Sequence, residues 1–140
     1  MRQILLFALL AASLALLIGC GAAKDKPEAA KDMPDKAAYH KISAEEAYEM
    51  MASQEVVVVD VRTREEYDGG HIENAVLVPN EIIGSEMPEA LPDKEATLLI
   101  YCRSGHRSKD AAQKLLALGY QSVYDFGGVI DWPYELVKEG

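Results

Sequence analysis

Thr97-Leu98-Leu99-Ile100-Tyr101-Cys102-Arg103-Ser104-Gly105-His106-Arg107-Ser108 runs from a short apolar, β-prone segment through one thiol into a helical pattern. The residues Thr97 to Tyr101 suit a buried strand of a parallel sheet. Beyond Ser108, the residues Ala111, Ala112, Leu115, Leu116 and Leu118 recur at helical spacing, and Gly119 stands where a C′ glycine closes a helix. Cys102 is therefore expected at the carboxyl end of a strand, the edge of an open α/β sheet where ligands bind.

The chemistry of the loop favours an anion. Gly105 permits a backbone turn that aims successive N–H groups at one point. A helix N-terminus adds about half a positive charge, and Arg103 and Arg107 add full ones. A thiol so placed loses its proton more readily than a free cysteine, and the thiolate is the nucleophile. The bland alternative is a buried structural cysteine. Two arginines and a glycine within five residues are poor company for a core thiol.

Outward from the loop, strands and helices alternate. Tyr39–Ile42 reads as a first strand. Ser43 with Glu46 fits a capping box for a helix whose apolar face includes Ala47, Met50 and Met51. Val56–Val61 is the strongest strand, with β-branched residues on both faces. Thr63 caps a short helix that Asp68-Gly69-Gly70 stops. Ala75–Pro79 is a strand, followed by a turn capped by Asn80. Gln121–Tyr124 is a last short strand, and Trp132-Pro133 begins or anchors a final helix. This alternation argues for one parallel α/β sheet covered on both sides.

The Cys102–Ser108 loop resembles the catalytic loop of rhodanese-type sulfurtransferases, in which a cysteine carries sulfur as a persulfide. Asp60–Tyr67, followed by Gly70–Ala75 and Pro79, resembles that family's upstream signature, and Gly127-Gly128 with Trp132 resembles its C-terminal one. The likeness covers about residues 39–138, with the motifs in the family's order. It implies a rhodanese-like fold, a five-stranded parallel sheet with helices on both faces, in a single domain. It implies that Cys102 carries the sulfur and that Arg103, Ser104, Gly105, His106 and Arg107 hold the substrate. Asp60, Arg62 and His71 are expected to order neighbouring loops; no second ligand lies at metal spacing from His71. No metal or organic cofactor is implied. The donor would be a small anion such as thiosulfate or a polysulfide, and the acceptor a thiol, cyanide or a protein.

The first forty of the 140 residues differ in kind from the rest. Arg2 is followed by an apolar and small-residue run from Ile4 to Ile18, the plan of a secretory signal peptide. Such a helix would span roughly 22 Å, short of the ~30 Å hydrocarbon core, so a permanent membrane span is the lesser reading. Leu17-Ile18-Gly19-Cys20 resembles the lipobox of bacterial lipoproteins, implying lipid at Cys20. Cys102 is then the single thiol of the mature domain. Residues 1–19 are read as signal peptide, 20–38 as lipidated cysteine and flexible tether, and 39–140 as the domain. The chain is expected at the cell envelope, lipid-anchored to a bacterial membrane and facing the periplasm or exterior.

From Lys41 onward 9 Lys and Arg stand against 19 Asp and Glu, which argues against nucleic acid as a partner. Two rivals to sulfur transfer remain at this point. One is a cysteine-dependent phosphatase or arsenate reductase-like enzyme, which would also use a cysteine, an amide cradle and an arginine. Those phosphatases have five residues between cysteine and arginine, whereas four separate Cys102 from Arg107. The other is a non-catalytic envelope module that binds a protein.

Overall fold

Val57–Asp60 pairs on both sides with parallel neighbours, as a strand with β-branched residues on both faces must. The computed structural model describes residues 37–139. The expected signal peptide, the lipid site at Cys20 and nearly all of the tether lie outside those residues. The five strands are β1 (Ala38–Lys41), β2 (Val57–Asp60), β3 (Val76–Leu77), β4 (Thr97–Cys102) and β5 (Ser122–Gly128). They form one parallel sheet in the order β1-β5-β4-β2-β3. The expected α/β architecture is therefore present, with β4 at its centre.

The alternation of side chains along β4 divides the core. Leu98, Ile100 and Cys102 join a cluster with Ala111, Ala112 and Leu115 of α3 (His106–Ala117). Leu99 and Tyr101 face the other way, against Ala47 of α1 (Ala44–Ser53) and Tyr67 of α2 (Arg64–Asp68). Helices thus cover both faces. Capping boxes close the starts of α1 and α2, through Ser43 with Glu46 and Thr63 with Glu66. Gly119, at φ 94°, ends the turn after α3. Met50 and Met51, on α1, are half-buried against the cluster that contains Leu99, Tyr101 and Phe126. Among the described residues no helix is long and apolar enough to cross a membrane.

Several local expectations are corrected. Among the described residues no helix follows Trp132-Pro133. A 3₁₀ turn at Val129–Asp131 gives way to extended chain, because the residue before a proline is driven out of the helical region. That segment returns to form an antiparallel bridge from Val137 to His71, with backbone bonds of 2.9 Å in both directions. β5, expected over Gln121–Tyr124, starts at Ser122 and runs on through Gly128. Asn80 does not cap its 3₁₀ turn. Its side chain donates to Asp110 at 3.0 Å and accepts from Lys114 at 3.1 Å, tying the end of β3 to α3. The first strand takes in Ala38, a residue assigned above to the tether.

Candidate active site

Cys102 is the last residue of β4, 1% exposed, with its side chain on the α3 face. Gly105 adopts φ 96°, a left-handed conformation that lets the loop turn back over the strand end. Its N–H then points at Cys102 Sγ, 3.0 Å away. The loop lies flat because β5 has no side chain beneath it. A Cβ on Gly128 would meet Ser104 Cα at 2.6 Å and the Arg103 carbonyl carbon at 2.8 Å. β5 reaches that position through a bulge, since Ile100 faces Asp125 but Tyr101 faces Gly127, leaving Phe126 as the extra residue.

Gly105 is also the N-cap of α3, and no side chain caps that helix. Its first N–H groups are consequently available to an anion. Burial pushes the Cys102 thiol up. The backbone and hydroxyl of Ser108 and the N–H groups of Gly105 and Ser104 outweigh burial, so the thiol lies below its ordinary value. The arrangement can hold a thiolate, or a sulfur chain one atom longer. No cluster of three or more metal-ligating side chains occurs among the described residues.

Beneath the loop is a carboxylate that the sequence reading missed. Asp125, 1% exposed, accepts from the Ser108 hydroxyl at 2.7 Å and the Gly127 N–H at 2.9 Å through Oδ1. Its Oδ2 accepts from the Tyr39 hydroxyl at 2.6 Å and lies 3.4 Å from Lys41 Nζ. Burial and Asp125 together drive Tyr39 ionisation far above its ordinary value, so that hydroxyl stays a donor. Asp125 thereby pins β1, β5 and the start of α3 to one another. The available signal was a charged residue between Tyr124 and Phe126 in an apolar strand.

The two loop arginines differ. Arg103 is exposed, and its carbonyl accepts from the Ile130 N–H. Arg107, expected to hold substrate, is engaged with Glu66 of α2. Nη1 donates to Oε2 at 2.7 Å and Nη2 to Oε1 at 2.8 Å. The Arg107 hydrogen bonds pull the Glu66 carboxyl down to about 2. His106 is exposed on the first turn of α3.

Asp60, Arg62 and His71 lie away from the thiol. Arg62 Nε donates to both Asp60 oxygens at 2.9 and 3.0 Å, while Nη2 reaches Asp60 at 2.6 Å and the Gly70 carbonyl at 2.8 Å. The Tyr101 hydroxyl donates to Asp60 and accepts from the Ile72 N–H. Tyr101 faces α1 and α2, whereas Cys102 faces α3. The network fastens the 70–72 segment to the sheet. His71 stacks on Tyr67 with ring centroids 3.6 Å apart, and its Nδ1 is 2.9 Å from the Tyr67 carbonyl.

Comparison with known proteins matches residues 43–133 to the family model described as Rhodanese-like domain. The chain is 31% identical over 106 residues to the tRNA uridine(34) hydroxylase of Yersinia pestis strain Pestoides F, covering 72% of this chain but 30% of that protein. It thus spans under a third of that relative's length. A rhodanese from E. coli, solved with anions, is similar at 32% identity and TM-score 0.54, covering 59% of this chain and 98% of that one. A rhodanese-like domain protein from Staphylococcus aureus is similar at 32% identity and TM-score 0.62, covering 72% and 99%. A human single-domain sulfurtransferase is similar at 27% identity and TM-score 0.59, covering 66% and 93%.

Proposed function

The chain belongs to the rhodanese-like domain family, and from that premise we propose that it is a sulfurtransferase working through a Cys102 persulfide. The observation that carries the reading is the Gly105 N–H directed at Sγ within a loop whose other amides also lower the thiol. With thiosulfate as donor, the Cys102 thiolate attacks the outer sulfur, the new Sγ–S bond forms, and the old S–S bond breaks with its electron pair leaving on sulfite. The persulfide so formed is again an anion, held by the same N–H groups. A thiol, cyanide or a protein cysteine then attacks the outer sulfur and regenerates the thiolate. The four-residue spacing from Cys102 to Arg107, and the ion pair that engages Arg107, support sulfur chemistry over phosphate chemistry.

The amino-terminal sequence supports an envelope location, with a signal peptide over 1–19 and a lipid anchor at Cys20 that keeps the domain near the membrane. The acidic balance from Lys41 onward supports small molecules and proteins as partners in preference to nucleic acid.

Intact mass spectrometry tests the chemistry. Thiosulfate should add one sulfur atom to the reduced protein, cyanide should remove it, and Cys102→Ser should accept none. Rapid aryl phosphate hydrolysis with no sulfur uptake would overturn the assignment. Cys20→Ser should release the protein from the membrane fraction or leave the precursor unprocessed, and unchanged fractionation would refute the anchor.

A further inference from the structure

Two of the four cations around the loop, Arg107 and Lys41, are answered by carboxylates. Arg107 meets Glu66 with both oxygens, at 2.7 and 2.8 Å. Glu66 is itself held in place, because Oε2 also accepts the Thr63 N–H at 3.1 Å and the Thr63 hydroxyl at 3.2 Å in the capping box of α2. It is a preset partner. Lys41 faces Asp125, whose buried carboxylate lies under Ser108. Arg103 and Lys109 have no ion pair among the described residues, but both are exposed, where solvent and salt screen them. The domain around them carries ten more negative charges than positive ones. What remains for a ligand is the N–H cradle and the helix terminus, which suit a single negative charge.

We propose that Glu66 selects the charge of the sulfur donor: by holding Arg107 in a bidentate pair beside the loop, it suits the site to monoanionic sulfane-sulfur donors, thiosulfonates and persulfides, and disfavours dianions. This rests on the sulfurtransferase reading above. Arg107 belongs to the first turn of α3, two residues beyond the Gly105 whose N–H faces Cys102 Sγ. The step itself balances. The Cys102 thiolate attacks the outer sulfur of R–SO₂–S⁻, an Sγ–S bond forms, and the old S–S bond breaks with its electrons leaving on the sulfinate R–SO₂⁻. A persulfide anion R–S–S⁻ reacts alike: Cys102 takes its outer sulfur, the old S–S bond breaks, and the electron pair leaves on the thiolate R–S⁻.

Methanethiosulfonate and thiosulfate form the test pair, because they share size and sulfane sulfur and differ by one negative charge. Glu66→Gln retains an oxygen for Thr63 and removes the carboxylate charge facing Arg107. Removing the charge that neutralises Arg107 beside the loop changes the discrimination between the two by roughly three- to thirtyfold. The ratio of kcat/KM for thiosulfate to that for methanethiosulfonate should rise by that factor in Glu66→Gln, mainly through a lower KM for thiosulfate. A merely structural Glu66 would lower both rates together and leave the ratio unchanged, which would overturn the proposal. Should the variant fail to fold, the wild-type protein decides: its thiosulfate rate should increase with ionic strength more steeply than its methanethiosulfonate rate. Equal or reversed salt dependence would refute the charge filter. If neither donor adds sulfur to Cys102, the sulfurtransferase reading itself fails.

Discussion

Gly128→Ala adds one methyl group at the point where β5 passes under the loop. At φ −117° and ψ 143° any residue tolerates that backbone, so the cost is purely steric. The new Cβ would stand 2.6 Å from Ser104 Cα and 2.8 Å from the Arg103 carbonyl carbon, and closer still to the Arg103 oxygen. All are main-chain atoms, which no rotamer change can move aside. Carbon atoms pack at about 3.5–4.0 Å, so the loop must rise by roughly 1 Å. That displacement carries the Gly105 N–H beyond hydrogen-bond range of Sγ, from which it now lies 3.0 Å away. Overpacking of this kind costs about 1–3 kcal/mol, and the upper half of the range applies to a contact with backbone. A domain of this size should lose roughly 10–20 °C in Tm. The thiol should also shift upward toward its ordinary value, since the amides that lower it recede. Thermal unfolding gives the first quantity, and the pH dependence of iodoacetamide alkylation gives the second. A variant with wild-type Tm and a wild-type alkylation profile would refute the view that the bare Gly128 surface sets the loop.

Asp60→Asn should cost about 3–5 kcal/mol in urea unfolding, because Arg62, with its side chain 6% exposed, would be left buried without its counter-ion; a loss below about 1 kcal/mol would show the pair to be dispensable. Glu66 has a depressed carboxyl at about 2, so its contribution is fully present above the unfolded carboxylate value and is lost as pH falls from about 4 toward 2; acid unfolding of Glu66→Gln should be flatter across that window. Cys102 is likewise depressed, so its alkylation should persist below the ordinary thiol range and vanish in Cys102→Ser. Trp132→Phe keeps a ring against Phe126 and Tyr134 and removes a buried Nε1–H that has no partner, so it should stay within about 1 kcal/mol of wild type; Trp132→Ala should cost about 3 kcal/mol in the same unfolding assay.

The loop chemistry was legible because it is local. A strand that ends in a thiol, a glycine three residues on and a helical period afterward occupy one continuous stretch, and so do the caps at Ser43, Thr63 and Gly119. Hydrogen bonds and sterics over three or four residues determine such features. The end of the chain was misread because Trp132-Pro133 carries a helix-start signal that is equally a turn signal. The pairing of Val137 with His71, which draws that segment into extended form, joins residues far apart in sequence.

By itself, then, the sequence determined the parallel α/β sheet, the position of Cys102 at its carboxyl edge and the glycine-bearing turn into a helix that follows. Period, capping and glycine placement express backbone geometry directly. Tertiary structure alone decided that Arg107 belongs to Glu66, 41 positions away, that Asp125 lies beneath Ser108, and that the Asp60–Arg62 pair occupies the opposite face of the sheet from the thiol. The physical reason is that a charge has no local signature of its partner. Whether an arginine is free for a ligand depends on which carboxylate the packing of α2 against the loop brings within hydrogen-bond reach, and that distance exists only once the sheet has closed.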